Sequence, residues 1–220
     1  MRFSLQGCLL FVLFLLCVPT RVSAVESDEA LVQRLVATHG QHTTAQGTLV
    51  WLTRNNADLA AAPRVQNLQF YLTFPERYHV IITKPGDQDY KLRFVSNGTT
   101  RWEIQQLFAD EKPDVKTTVV GKDDLFEQQL MACFRFDLVK LRKDFTLLAV
   151  TNADGTHSIQ LTPTAPELVK QLTKLTMIFQ ADLALSRIIS EDPQGNRYEF
   201  QVGPLECDKP IDPAFFQIVP

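Results

Sequence analysis

The sequence lacks a catalytic signature. It has no glycine-rich phosphate loop, no G-x-S-x-G and no H-E-x-x-H, the arrangements that point to phosphoryl transfer, serine hydrolysis or zinc chemistry. The four histidines, His39, His42, His79 and His157, are scattered. His39 and His42 stand together as HGQH, but two imidazoles with no third ligand nearby make a poor metal site, and they read as a solvated helix end. The adjacent acids Asp110-Glu111 and Asp123-Asp124 lie on polar segments and read as hydrated surface. The chain is therefore read as a non-enzyme with no metal and no cofactor. Positive charge is also short: 22 Lys and Arg face 25 Asp and Glu, a net charge of −3, which disfavours a nucleic-acid partner. There is no internal repeat, no low-complexity tract and no composition shift that would mark a second domain.

What is present begins with an export signal. Arg2 is a short positive n-region, Leu9 to Val18 is an apolar run too short to span a bilayer comfortably, and Val22-Ser23-Ala24 has the small residues of a cleavage site. Residues 1–24 are expected to be removed and 25–220 to form one domain, long enough to bury a sizeable core. With Arg2 and Arg21 gone, 20 basic residues face 25 acidic ones, a net charge of −5. No lipid-attachment site is expected, since Cys17 follows Leu15-Leu16 and Cys8 has no apolar run before it. Cys133 and Cys207 survive cleavage; in an oxidising compartment they could pair or remain as two buried thiols, and sequence leaves both open.

The organising stretch is Phe70 to Ile104, FYLTFPERYHVIITKPGDQDYKLRFVSNGTTRWEI. Apolar and polar residues alternate through it, the period of strands with one dry face. Phe70, Leu72 and Phe74 share a side of the first run; Tyr78, Val80 and Ile82 of the second; Tyr90, Leu92 and Phe94 of the third; Trp102 and Ile104 of the fourth. Pro75-Glu76, Lys84-Pro85-Gly86-Asp87 and Ser96-Asn97-Gly98 supply the turns, and Asn-Gly between alternating runs signals a hairpin. Asn97-Gly98-Thr99 also fits a glycosylation acceptor, though the turn itself accounts for the Asn-Gly.

Around this meander, Ala30 to Thr38 reads as a helix led by Ser27, Asp28 and Glu29 and stopped by Gly40. Gly47 to Arg54 reads as a strand with both faces covered. Val115 to Val120 is a further strand. Lys122 to Arg135 carries a helical apolar stripe that includes Phe126, Leu130, Cys133 and Phe134, and Phe136 to Leu141 continues it. Strands follow at Phe145 to Val150, His157 to Thr162, Leu172 to Phe179, Leu183 to Ser190 and Arg197 to Val202, with turns at Asn152 to Gly155 and Asp192 to Asn196. About eleven strands with two or three helices give an α+β fold.

Pro75, Pro85 and Ser96-Asn97-Gly98 followed by Trp102, together with a Leu161-Thr162-Pro163 strand end, an Asp192…Gly195 turn and an Ile211-Asp212…Phe215 close, resemble the LolA-like family of periplasmic lipoprotein carriers over nearly the whole mature chain. Where the carriers often have Arg before the first Pro, this sequence has Phe74. The resemblance implies a strongly curved antiparallel sheet, an unclosed barrel, with helices over its concave face and an apolar cavity beneath them. It implies a periplasmic carrier that takes acyl chains of lipoproteins, or another lipid, towards the outer membrane, with an inner-membrane exporter and an outer-membrane receptor as partners. A sensor or scaffold on the same fold is the alternative, and a domain whose apolar face is filled by its own side chains is a third. The chain is expected to be a monomer. The expected cavity wall is Phe70, Leu72, Phe74, Tyr78, Val80, Ile82, Leu92, Phe94 and Trp102, with Phe126, Leu130 and Phe134 covering it.

Overall fold

A computed structural model describes residues 28–58, 60–108, 110–120 and 131–218. The expected leader, the Ser27 cap, Phe126 and Leu130 lie outside the described residues. Eleven strands form one antiparallel sheet: β1 (Thr44–Arg54), β2 (Arg64–Thr73), β3 (Arg77–Lys84), β4 (Asp87–Asn97), β5 (Thr100–Gln106), β6 (Asp114–Val119), β7 (Phe145–Thr151), β8 (His157–Pro163), β9 (Lys174–Phe179), β10 (Leu185–Glu191) and β11 (Arg197–Cys207). Their order is β6-β5-β4-β3-β2-β1-β11-β10-β9-β8-β7. The sheet is open and curved, with β6 and β7 at its edges. One meander runs outward from β1 to β6. The chain then passes to the opposite edge, and β7 to β11 return as a second meander that closes on β1. The β1–β11 pair is thus the only neighbouring pair not joined directly along the chain.

Among the described residues, four α-helices accompany the sheet: α1 (Asp28–His39), α2 (131–135 in its described part), α3 (Leu138–Asp144) and α4 (Pro166–Val169). The turn between α2 and α3 is made by Phe136, whose φ of 51° ends the helix instead of continuing it as the sequence suggested. Its ring is buried and meets Phe179 edge-on at 6.0 Å, so the packed side chain holds a backbone conformation that bulky residues otherwise avoid. Asp137 then caps α3, its carboxylate accepting from the Lys140 amide at 3.2 Å. α1 forms because Leu31, Val32 and Leu35 fall on one stripe and are fully buried. His39 at its end is not solvated. It is buried against Phe179, and its Nε2 donates to the Leu183 carbonyl at 2.9 Å.

Directly opposed residues of antiparallel strands share a face, so the register fixes the concave side. Leu72 opposes Tyr78, Phe70 opposes Val80, Leu68 opposes Ile82, and the latter two β3 positions oppose Phe94 and Leu92. Across the seam, Leu49 and Trp51 oppose Val202 and Phe200. On the far half, Ile188, Met177 and Ile159 form one row, all with no more than 1% exposure. α1, α3 and α4 supply Leu35, Leu141 and Leu168 to this far half, all fully buried. The near half, β2 to β4, keeps Val80, Leu92 and Phe94 only partly buried.

Trp102 and Ile104 fall on the other side. The β4–β5 turn pairs Ser96 with Arg101 and Val95 with Trp102, and one position of register moves every side chain to the opposite face. In that turn Asn97 does not take positive φ. Gly98 does (φ 92°), while the Asn97 side chain accepts from the Thr99 and Thr100 amides. Val95 and Ile104 are buried on the convex face, and a 3-10 turn at Pro213–Phe216 packs against β3 and β4. There Phe215 lies 4.7 Å from Tyr71 and 6.2 Å from His79.

Gly47 is where the seam and the core come closest. β1 and β11 shift register between Gly47 and Leu49, opposite Pro204, and a Cβ on Gly47 would stand 2.9 Å from the Pro204 carbonyl and 3.3 Å from the Phe70 ring. Gly47→Ala is expected to lower stability by about 1–3 kcal/mol through overpacking, read from the urea midpoint.

Both His79 ring nitrogens are buried without a partner in good hydrogen-bond geometry. Burial, then the Arg93 guanidinium, hold its pKa below the ordinary value, with the nearby Phe215 carbonyl offsetting part of this. His39 is likewise lowered by burial. The unfolded chain therefore takes up these protons first, near pH 6.5. The stability is whole above that pH and is lost as pH falls towards the folded pKa. His79→Phe should make the loss between pH 7.5 and 5 shallower, measured as urea midpoints at each pH.

Candidate functional site

The half of the concave face made by β1 to β4 is hollow. A cavity of about 510 Å³ lies between β1 to β4, the end of β10 and the start of β11. Its walls are apolar because alternation turns every second residue of these strands inward. Of the residues expected from sequence, Leu72, Tyr78, Val80, Ile82 and Phe94 line it. Phe70 and Phe134 do not; they are buried together in the adjoining core, with ring centroids 5.1 Å apart. Phe74 and Leu92 pack against that core, partly buried and outside the lining. Trp102 is on the convex face.

Residues the sequence did not suggest complete the wall. Trp51 and Phe200 stack with centroids 5.6 Å apart and planes inclined by 20°, one from each side of the seam. Leu68, Met131 and Leu172 fill between them. Phe200 was legible as one face of a strand, but its meeting with Trp51 depends on a pairing between distant segments that no local pattern signals.

One end of the cavity is polar. Gln171, Ser190, Glu191, Asp192, Gln194 and Tyr198 surround it, and Gln171 and Gln194 are exposed. Asp192 organises this end. Its Oδ1 accepts from the Gln194 and Asn196 amides at 2.9 Å each, and its Oδ2 accepts from Asn196 Nδ2 at 2.8 Å and the Tyr198 hydroxyl at 3.0 Å. Those donors hold the carboxyl below the usual carboxylate range against the opposing effect of desolvation, and the same pair raises Tyr198 through burial and the neighbouring carboxylate. The sequence marked these residues only as a turn.

Among the described residues no three metal-ligating side chains converge, and no helix is long and apolar enough to cross a membrane. Cys133 and Cys207 are both free, so the pairing left open by the sequence does not form here. Cys207 opposes Ala45 at the end of the seam, while Cys133 is buried in α2.

No protein-family model and no curated protein matches the chain. The structure is similar to a LolA superfamily protein from Nitrosomonas europaea (11% identity, TM-score 0.47, covering 87% of this chain and 98% of that one). It is similar also to a DUF1329 family protein from Desulfovibrio piger (11%, 0.45, 85% and 94%) and to the Mycobacterium tuberculosis lipoprotein LppX (16%, 0.43, 84% and 99%).

Burial pushes the Cys133 thiol up to about 12, which keeps it protonated and unreactive at neutral pH. Iodoacetamide at pH 8 should label Cys133 only after denaturation, as read by peptide mass mapping. Labelling in the native protein would show that α2 opens.

Proposed function

We propose that the protein is a periplasmic carrier that shelters acyl chains of lipoproteins, or another lipid, in this cavity and shuttles them through water towards the outer membrane, without catalysis. The supporting observation is an apolar hollow of about 510 Å³ under a sheet face whose other half is solidly packed. A core built only for stability gains nothing from such a void, since unfilled space forfeits contacts at every wall. An acyl chain of about 15 methylenes costs on the order of 12 kcal/mol to expose to water, at about 0.8 kcal/mol per methylene. A carrier hides that surface and yet lets it go. Apolar walls supply the first property without directional bonds, and a polar end open to solvent supplies the second. The order of turns and strands that resembles the LolA-like carriers supports the same reading. On that resemblance, an inner-membrane exporter loads the protein and an outer-membrane receptor unloads it.

Val80 separates binding from folding. It lines the cavity yet is only partly buried, so an arginine there can carry its charged head towards water while its stem stays on the apolar wall. Val80→Arg should weaken binding of a fluorescent acyl probe more than tenfold and lower the melting temperature by only a few degrees, on the scale of about 1 kcal/mol. A wild-type protein that takes up no acyl probe, and yields no lipid on extraction and mass spectrometry, would remove the reading.

A further inference from the structure

We propose that the cavity fixes an acyl chain by a neutral ester or amide carbonyl bound to the Ser190 hydroxyl; this rests on the lipid-binding reading above. The first ground is size. At about 30 Å³ per methylene, about the share of a water molecule in the liquid, a cavity of about 510 Å³ has room for at least one long acyl chain.

The second ground is Ser190 itself. It is only 6% exposed and lines the cavity. On the concave face it stands between Tyr198 and Leu175, two residues along β10 from Ile188, whose row holds Phe200 and Trp51. Its hydroxyl has no hydrogen-bond partner among the described residues, as the buried Trp51 Nε1 on the same wall has none, whereas its neighbours Tyr198 and Asp192 are committed. The Tyr198 hydroxyl donates to Asp192, and Asp192 accepts from four donors. Glu191 is flanked in register by Lys174 and Arg197. Ser190 is thus an inward-facing donor left unused at the boundary between the apolar walls and the polar end. Pockets of this kind orient their ligands with a few placed polar groups, and a buried hydroxyl is stabilised by whatever completes its bonding. A carbonyl one bond from an acyl chain meets that need with the chain lying inward along Phe200 and Val80. The ionised Asp192 beside it disfavours a free carboxylate, so the preferred head is uncharged.

The test uses the purified protein with four probes: monopalmitoylglycerol, palmitate, hexadecane and a tripalmitoylated cysteinyl lipopeptide, with occupancy by native mass spectrometry and affinity by displacement of a fluorescent probe. Binding of monopalmitoylglycerol is expected, with weaker binding of palmitate at pH 8. Ser190→Ala should weaken the ester about three- to tenfold and leave hexadecane unchanged. Ser190→Cys, close in shape though larger and a weak donor, should show the same selective loss and serves where the alanine form is unstable. Equal ester affinity in wild type and a folded variant overturns the inference while the carrier reading stands. Failure of the wild type to bind any of the four removes both.

Discussion

The molecule depends on how its concave face is covered. Eleven strands present a continuous apolar surface on that side, and the helices among the described residues do not dress all of it. α1, α3 and α4 crowd onto the half made by β7 to β10, where Met177, Ile159, Leu161 and Ile188 lose nearly all contact with solvent. The half made by β2 to β4 is left with apolar residues and a void. Hydrophobic burial is the main favourable term in folding, so a sheet that leaves part of its dry face unfilled gives up stability there. The well-packed half compensates, and Phe70, packed against Phe134, is the boundary stone between the two.

Much of this was legible in the sequence, for a definite reason. Alternation with period two survives translation into structure wherever a strand has one wet and one dry face, and Leu72, Tyr78, Val80, Ile82 and Phe94 all arrive where their alternation places them. The reading failed where the deciding fact was relational. Trp102 alternates correctly with Ile104, but the parity of the β4–β5 turn decides which face that pair occupies, and parity is not written in either strand. The cavity was also drawn too large. Phe70 and Phe134 share the inward face with the lining residues, and only packing separates core from wall. Nor could local pattern show that Trp51 and Phe200 would stack, because the seam joins segments far apart in the chain. Ser190 looked like the polar end of a strand until its lack of a partner was visible.

The convex face carries a second, smaller cluster that the sequence did not suggest. The turn at Pro213–Phe216, capped by Asp212 accepting from the Ala214 amide at 2.9 Å, lays Phe215 over Tyr71 and His79 and buries Phe216. Asp208, at φ 58°, steers the chain there. Its carboxylate takes the Thr43 amide at 2.8 Å and His42 at 2.7 Å, tying the segment after β11 to the segment before β1. His42 is therefore part of a structural strap, which explains its place beside His39 without any metal.

The seam also decides when the fold can be completed. During synthesis β1 to β6 emerge first, and the outer edge of β1 has no partner until β11 follows most of the chain later. In that interval a row of unpaired backbone donors and acceptors stands open beside the bare Trp51 ring, an edge of the kind that pairs with the wrong neighbour. Pairing across so long a stretch is slow. The chain stays open along β1 until its eleventh strand arrives.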